Sequence, residues 1–246
     1  MGEMMLEVKD LSVTYYNNSE FKVRDVDFYL KKGEVLGVIG RNGAGKTTVM
    51  KSIVGLKGID GGKVLIDGCE LWTDNKKIKD MTGYITSDWI YNVKMRTDLQ
   101  AKCLGAWYSD FSYSKYKGIC KRLGIKEKAK PLSMSAGEKV KFSLAFALSH
   151  NVKLLIMDEP LSNLDPVSRE EVMELLRDVI EKGDVSIVFS THLVHELEKI
   201  ADRIIYMDNG SQKLFMDMND IQDKYFKDRI VNLEELFEYE ELNEEG

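Results

Sequence analysis

Apolar residues recur at roughly every second position along two stretches near the start of the chain, Leu6-Glu-Val-Lys-Asp-Leu-Ser-Val-Thr-Tyr15 and Phe21-Lys-Val-Arg-Asp-Val-Asp-Phe-Tyr-Leu30. That period predicts two half-buried antiparallel strands. After the turn Lys31-Lys-Gly33 the pattern changes to short apolar runs: Val35-Leu-Gly-Val-Ile39, Leu154-Leu-Ile-Met157 and Ser186-Ile-Val-Phe-Ser190. Runs of this kind suit central parallel strands, buried on both faces. Between the second and the third, Val172, Leu175, Leu176 and Val179 fall at helical spacing. Strand, helix and strand in that order predict parallel βαβ units. Arg203-Ile-Ile-Tyr-Met207 before Asp208-Asn-Gly210 predicts a further strand that enters a hairpin.

The middle differs. From about Asp98 to His150 there is no strand run, whereas Leu99-Gln-Ala-Lys-Cys-Leu-Gly-Ala-Trp107 and Val140-Lys-Phe-Ser-Leu-Ala-Phe-Ala-Leu148 suit helices. A small helical lobe inserted into an α/β body is expected. The stretch 231–246 is rich in Glu, with Leu233, Leu236 and Phe237 at helical spacing, and predicts an acidic amphipathic helix on the body; a partner-binding tail is the other reading.

With 246 residues the chain fits one α/β domain carrying an insertion, at about 150 residues per domain, assigned to 1–230. The net charge of −6 argues against a nucleic-acid binder that relies on a basic surface, so no nucleic-acid partner is expected. The three cysteines, Cys69, Cys103 and Cys120, have neither disulfide nor zinc spacing, which points to a reducing compartment. Glu3 and Glu7 stand where a leader would be basic, and no apolar run approaches a membrane span. A membrane role would have to come through a partner.

Gly40-Arg-Asn42-Gly43-Ala44-Gly45-Lys46-Thr47 fits G-x-x-x-x-G-K-[ST] and directly follows an apolar strand, the context this motif requires. Glycines let the backbone wrap a triphosphate with its N–H groups inward, and the following helix offers its N-terminus to the β-phosphate. Lys46 supplies a point charge to the β/γ oxygens and Thr47 a hydroxyl to Mg²⁺; Thr48 completes the loop's nucleotide contacts. A chance match in a chain of this size has odds on the order of one in a hundred. The expected fold is thus a P-loop NTPase core with a parallel central sheet, an N-terminal antiparallel β subdomain and the inserted helical lobe. Asp158 and Glu159 then follow the apolar run 154–157. Asp158 is placed to hold Mg²⁺ through its water shell, and Glu159 to hold an attacking water in line with the γ-phosphate. Simple edge solvation is the bland alternative for this acidic pair.

Taken together these residues resemble the ATP-binding subunit of ABC transporters, over nearly the whole chain to about Gly210. Leu161-Ser-Asn-Leu-Asp165 resembles the family's D-loop, and Ser190-Thr-His192 its switch histidine. Tyr15 matches the aromatic that stacks on adenine. Met134-Ser135-Ala136-Gly137-Glu138 stands where the family has its signature. Read by itself, Ser135 with Glu138 three residues on is a capping box for a helix. The resemblance adds that Ser135, Gly137 and Glu138, with Asp165, face ATP held by a second subunit, so that two chains sandwich two ATPs head to tail. It also implies that His192 holds the γ-phosphate and orients Glu159. His150 and His195 are expected on the surface or in packing.

Two departures stand out. Gly83-Tyr-Ile-Thr-Ser-Asp88 occupies the place of the Q-loop without a Gln or Glu at the expected spot, so Ser87 or Asp88 must stand in, Asp88 reaching Mg²⁺ through a water. The signature carries Ala136 and Glu138 for Gly and Gln. The pattern resembles the compact exporter-type ATPases of bacteria. It implies an ATPase that uses ATP and Mg²⁺, dimerises with a second ATPase subunit and drives a transmembrane permease from the cytoplasmic face of the membrane, most simply for export. The rivals are a soluble ABC-type ATPase acting on DNA or ribosomes, and a small-molecule kinase.

Overall fold

The two alternating stretches pair with each other. In the computed structural model, which describes residues 3–15, 18–224 and 233, strand β1 (Met4–Tyr15) runs antiparallel to β2 (Asn18–Lys31), with Leu6 opposite Leu30 and Val8 opposite Phe28. All four of those side chains are buried, as the alternation requires. Two strands that the periodicity does not reveal, β4 (Gly61–Ile66) and β5 (Cys69–Glu70), extend this antiparallel part on the other side of β1.

The apolar runs become β3 (Val35–Ile39), β7 (Leu154–Asp158) and β8 (Ser186–Ser190), each buried at every residue. They lie parallel in the order β3-β8-β7, with β9 (Arg203–Asp208) beside β3 and β6 (Thr82–Thr86) beside β7. Leu154 and Ile156 join the core formed with α1 (Lys46–Ile53) and the antiparallel strands. Leu155 and Met157 join the opposite one, with α5 (Ala136–Ala147) and α6 (Pro166–Glu181). Burial on both faces explains why these runs are continuously apolar.

Strand β9 reverses at Asn209 and Gly210, with φ of 45° and 78°, into β10 (Ser211–Asp217). Positive φ at both central residues gives a tight hairpin whose twist matches its strands. Ser211 also pairs in parallel with Arg24, which joins the two parts into one ten-stranded sheet of order β5-β4-β1-β2-β10-β9-β3-β8-β7-β6. The expected α/β class is borne out.

After β5 comes α2 (Asn75–Met81), and α3 (Thr97–Gly105), α4 (Tyr113–Arg122) and α5 fill the chain between β6 and β7. Aromatic contacts tie this helical part to the segment that follows β6: the rings of Trp89 and Tyr91 lie 5.4 and 5.1 Å from that of Phe142 on α5. The helix expected over 231–246 lies outside the described residues, apart from Leu233, which is buried and donates its amide to Glu198 Oε1 at 2.9 Å. Among the described residues no helix is long and apolar enough to cross a membrane.

Candidate nucleotide-binding site

Strand β3 delivers the chain to Gly40 at the carboxyl end of the parallel strands, and α1 leads away from it. The connection is tightly constrained. A Cβ on Gly40, whose φ is 153°, would lie 2.2 Å from the Met207 carbonyl oxygen of β9. Gly45 closes the loop at φ 105° as the residue ahead of α1, and no side chain caps that helix. Its first amides are therefore available to an anion. The hairpin tip holds the loop from outside, Gly210 donating its amide to the Ala44 carbonyl at 3.0 Å.

This loop, Tyr15, Phe21 and Glu159 line a cavity of about 480 Å³, within the usual range for a small ligand. Asn42, Gly43, Ala44, Gly45, Lys46, Thr47 and Thr48 all line it; Gly40 instead buttresses the loop against β9. The Tyr15 hydroxyl lies 2.9 Å from Thr48 Oγ1, and the Lys57 ammonium sits 4.0 Å from the centre of the Tyr15 ring. Phe21 beside it, 6.2 Å between ring centres, is a wall that no sequence motif marks.

Lys46 is buried. Its ammonium donates to the carbonyls of Gly40 at 2.6 Å and Arg41 at 3.2 Å, and lies 3.3 Å from Glu159 Oε1. That last contact is an ion pair without hydrogen-bond geometry, since Oε1 is buried with no hydrogen-bond partner. The other carboxylate oxygen, Oε2, lies 2.9 Å from His192 Nδ1. Glu159 itself has φ 48°; among the described non-glycine residues with positive φ it alone is neither Asp nor Asn. Its amide donates to both the carbonyl (3.1 Å) and the hydroxyl (3.0 Å) of Ser190, which pins this turn.

Asp158, buried at the end of β7, is ringed by hydroxyls. Thr47 donates to Oδ1 at 3.1 Å, Ser190 to Oδ1 at 2.9 Å and Tyr84 to Oδ2 at 3.3 Å. Burial, reinforced by the Asp158 charge, pushes the Tyr84 phenol well above its ordinary pKa, so it remains a donor. Neither Ser190 nor Tyr84 belongs to the set expected from the sequence. Asp88, expected near Mg²⁺, is exposed and does not line the cavity; its amide donates to Thr86 Oγ1 at 3.3 Å, and its side chain bonds neither Thr47 nor Asp158. Its charge still reaches the Tyr84 phenol that bonds Asp158.

The remaining expected residues lie apart from this cavity. Ser135 and Glu138 form the capping box of α5: Ser135 Oγ accepts from the Glu138 amide at 3.1 Å, and Glu138 Oε2 accepts from the Ser135 amide at 2.8 Å. Asp165 caps α6, accepting the amides of Val167 and Ser168 at 3.1 and 3.0 Å, and these bonds hold its pKa below the usual carboxylate range. Gly137 brings the two helix starts together, since a Cβ on it would lie 2.5 Å from Ser168 Oγ. His150 is buried against the Tyr108 ring, 4.2 Å between centres, and His195 is exposed.

The chain thus presents a phosphate loop with its carboxylates on one face and two capped helix starts elsewhere. Residues 23–162 match the family described as ABC transporter. The ABC transporter ATP-binding protein YtrB of Bacillus subtilis (strain 168) is 30% identical over 234 residues, spanning 93% of this chain and 79% of that protein. The methionine import ATP-binding protein MetN of Clostridium tetani (strain Massachusetts / E88) is 29% identical across 97% of this chain and 78% of its own length. The linearmycin resistance ATP-binding protein LnrL of Bacillus subtilis (strain 168) is 28% identical across 93% and 74%. Among solved structures, an ATP-binding subunit of an ABC transporter superposes with a TM-score of 0.84 at 27% identity, covering 96% of this chain and 99% of that one. The dimeric ATP-binding cassette MJ0796 bound to ADP and Pi shares the fold at 22% identity, with a TM-score of 0.77 over 87% and 99% of the two chains. The chain belongs to the ABC transporter family, as an ATP-binding subunit with ATPase activity.

Proposed function

We propose that this chain, through its ATPase unit 1–230 with the lobe at about 90–150 inserted, hydrolyses Mg-ATP in the cavity lined by residues 41–48. The observation that carries the reading is the contact of Glu159 with both Lys46 and His192 at that cavity, beside the Thr47–Asp158 pair. Lys46 would leave its carbonyl partners for the β/γ-phosphate oxygens, joining the loop amides in stabilising charge on the transferring phosphoryl group. Glu159 would orient or deprotonate the attacking water, with His192 fixing the carboxylate and meeting the γ-phosphate, and Tyr15 would stack on adenine. General-base assistance of this type is worth about 10²–10⁴-fold in rate. Thr47 and Asp158 bring two hard oxygen donors together and fit Mg²⁺, which when bound neutralises charge on the phosphate oxygens.

The site would be completed by a second ATPase copy, same or sister, whose Ser135, Gly137, Glu138 and Asp165 face the nucleotide across a head-to-tail dimer. The MJ0796 cassette, which shares this fold, is described as dimeric, and that is in keeping with a two-copy assembly. A separate transmembrane permease at the cytoplasmic face of the membrane is the proposed user of the work. Export has no support in the relatives, whose names include methionine import.

The test is the solution mass of Glu159→Gln with Mg-ATP and without nucleotide. A nucleotide-dependent dimer supports the shared site. A monomer that still binds ATP overturns self-completion and requires a sister subunit. Co-purification with a membrane-spanning neighbour supports the transporter role, whereas salt-sensitive binding to DNA or ribosomes would favour the soluble rival.

A further inference from the structure

The oxygens of Asp158 are held unequally. Oδ1 accepts from Thr47 and Ser190, both at ends of linear motifs, while Oδ2 accepts from Tyr84 on the neighbouring strand β6. In the parallel register Thr86 stands opposite Asp158 and Tyr84 opposite Ile156. Tyr84 is therefore a diagonal neighbour, two places back along β6, about 6.6 Å at 3.3 Å per residue. Only a long side chain ending in a donor spans that offset. Ser87 and Asp88 do not replace it: the Ser87 amide meets the main-chain carbonyl of Asp158 at 3.4 Å, and Asp88 is exposed.

We infer that Tyr84 is the positioning residue through which β6 serves the metal, its hydroxyl fixing Oδ2 of Asp158 so that Oδ1, shared with Thr47, is presented to the cation. The inference rests on the reading of Thr47 and Asp158 as the Mg²⁺ pair. A buried carboxylate held on one oxygen only can rotate about its terminal bond; a donor on the second oxygen removes that freedom before the cation arrives. The phenol is suited to this because its ring is seated on a strand rather than a loop.

The test uses Mn²⁺ as a paramagnetic stand-in, titrated by electron paramagnetic resonance into the protein saturated with a non-hydrolysable ATP analogue. Tyr84→Phe keeps the ring and removes the oxygen. Its Mn²⁺ dissociation constant should rise about tenfold, the scale seen when the outer partner of a metal ligand is lost. Nucleotide binding in EDTA should not move, and the melting temperature should fall because Oδ2 loses its donor; a merely structural tyrosine would lower the melting temperature and leave the Mn²⁺ affinity alone. Ser87→Ala and Asp88→Ala should leave the Mn²⁺ affinity alone. An unchanged affinity in Tyr84→Phe, or a tenfold loss in Asp88→Ala, overturns the inference. Thr47→Val separates it from the reading beneath it: if that variant holds Mn²⁺ like the parent, the metal pair itself is misplaced. If the unsubstituted chain binds no nucleotide, the cavity reading falls as well.

Discussion

His192 Nδ1 lies 2.9 Å from Oε2 of Glu159, so an exposed imidazole grips one side of a largely buried carboxylate. With the backbone of Glu159 pinned by Ser190, the imidazole sets the direction of the free end. Replacing His192 by Ala should lower the rate of phosphate release by about 10²-fold while nucleotide binding persists. A variant that hydrolyses ATP like the parent would remove His192 from the mechanism.

Lys46 holds the other side of the same carboxylate and donates to the loop carbonyls of Gly40 and Arg41. In Lys46→Met the Gly40 carbonyl loses its donor and Glu159 its cation. Urea unfolding of the nucleotide-free protein should show a loss of about 1–3 kcal/mol, alongside weaker ATP binding. Unchanged stability would mean that the contact with Glu159 is incidental.

The approach of α5 to α6 leaves no room for a side chain at position 137. Gly137→Ala forces its Cβ against Ser168 and should destabilise by about 1–3 kcal/mol, as overpacking does. Adding Ser168→Gly to the same chain should recover much of that loss. Failure of the second change to help would place the cost in the capping turn instead.

Burial lowers the pKa of His150 below its ordinary value, against weaker opposition from Asp110 and the nearby backbone. The unfolded chain then takes up this proton first as pH falls. The stability held by neutral His150 is complete above about pH 6.5 and declines below it, toward the lowered native value. Melting temperatures between about pH 7.5 and pH 5.5 should fall less for His150→Phe than for the parent. Parallel curves would assign the acid sensitivity to other groups.

Much of this architecture can be read from residue order, and the omissions have physical reasons. Strands β1–β3 and β7–β9 announce themselves because each buries one or both faces along its own length. By contrast, Gly61-Gly-Lys-Val-Leu-Ile66 and Thr82-Gly-Tyr-Ile-Thr86 are short and glycine-bearing, and they become strands through the register that β1 and β7 impose. The same divide runs through the site. Lys46, Thr47, Asp158, Glu159 and His192 sit at the ends of apolar runs, where spacing exposes them. Tyr84 and Phe21 reach the site across strands, and linear spacing carries no trace of such a contact. Asp88 is the complementary case: it lies beyond the end of β6, exposed, and spacing alone does not fix where the chain points once a strand has ended.

The left-handed backbone of Glu159 has a consequence for any attempt to improve this protein in the laboratory. Such a conformation costs a residue with a Cβ about 1 kcal/mol, and glycine nearly nothing. A library randomised at position 159 and sorted by heat resistance alone would therefore set that backbone relief, greatest for Gly, against the loss of the carboxylate that faces the buried Lys46 ammonium. Wherever the relief outweighs the contact, a thermostability programme that leaves activity out of its selection would discard the carboxylate proposed to act on the attacking water.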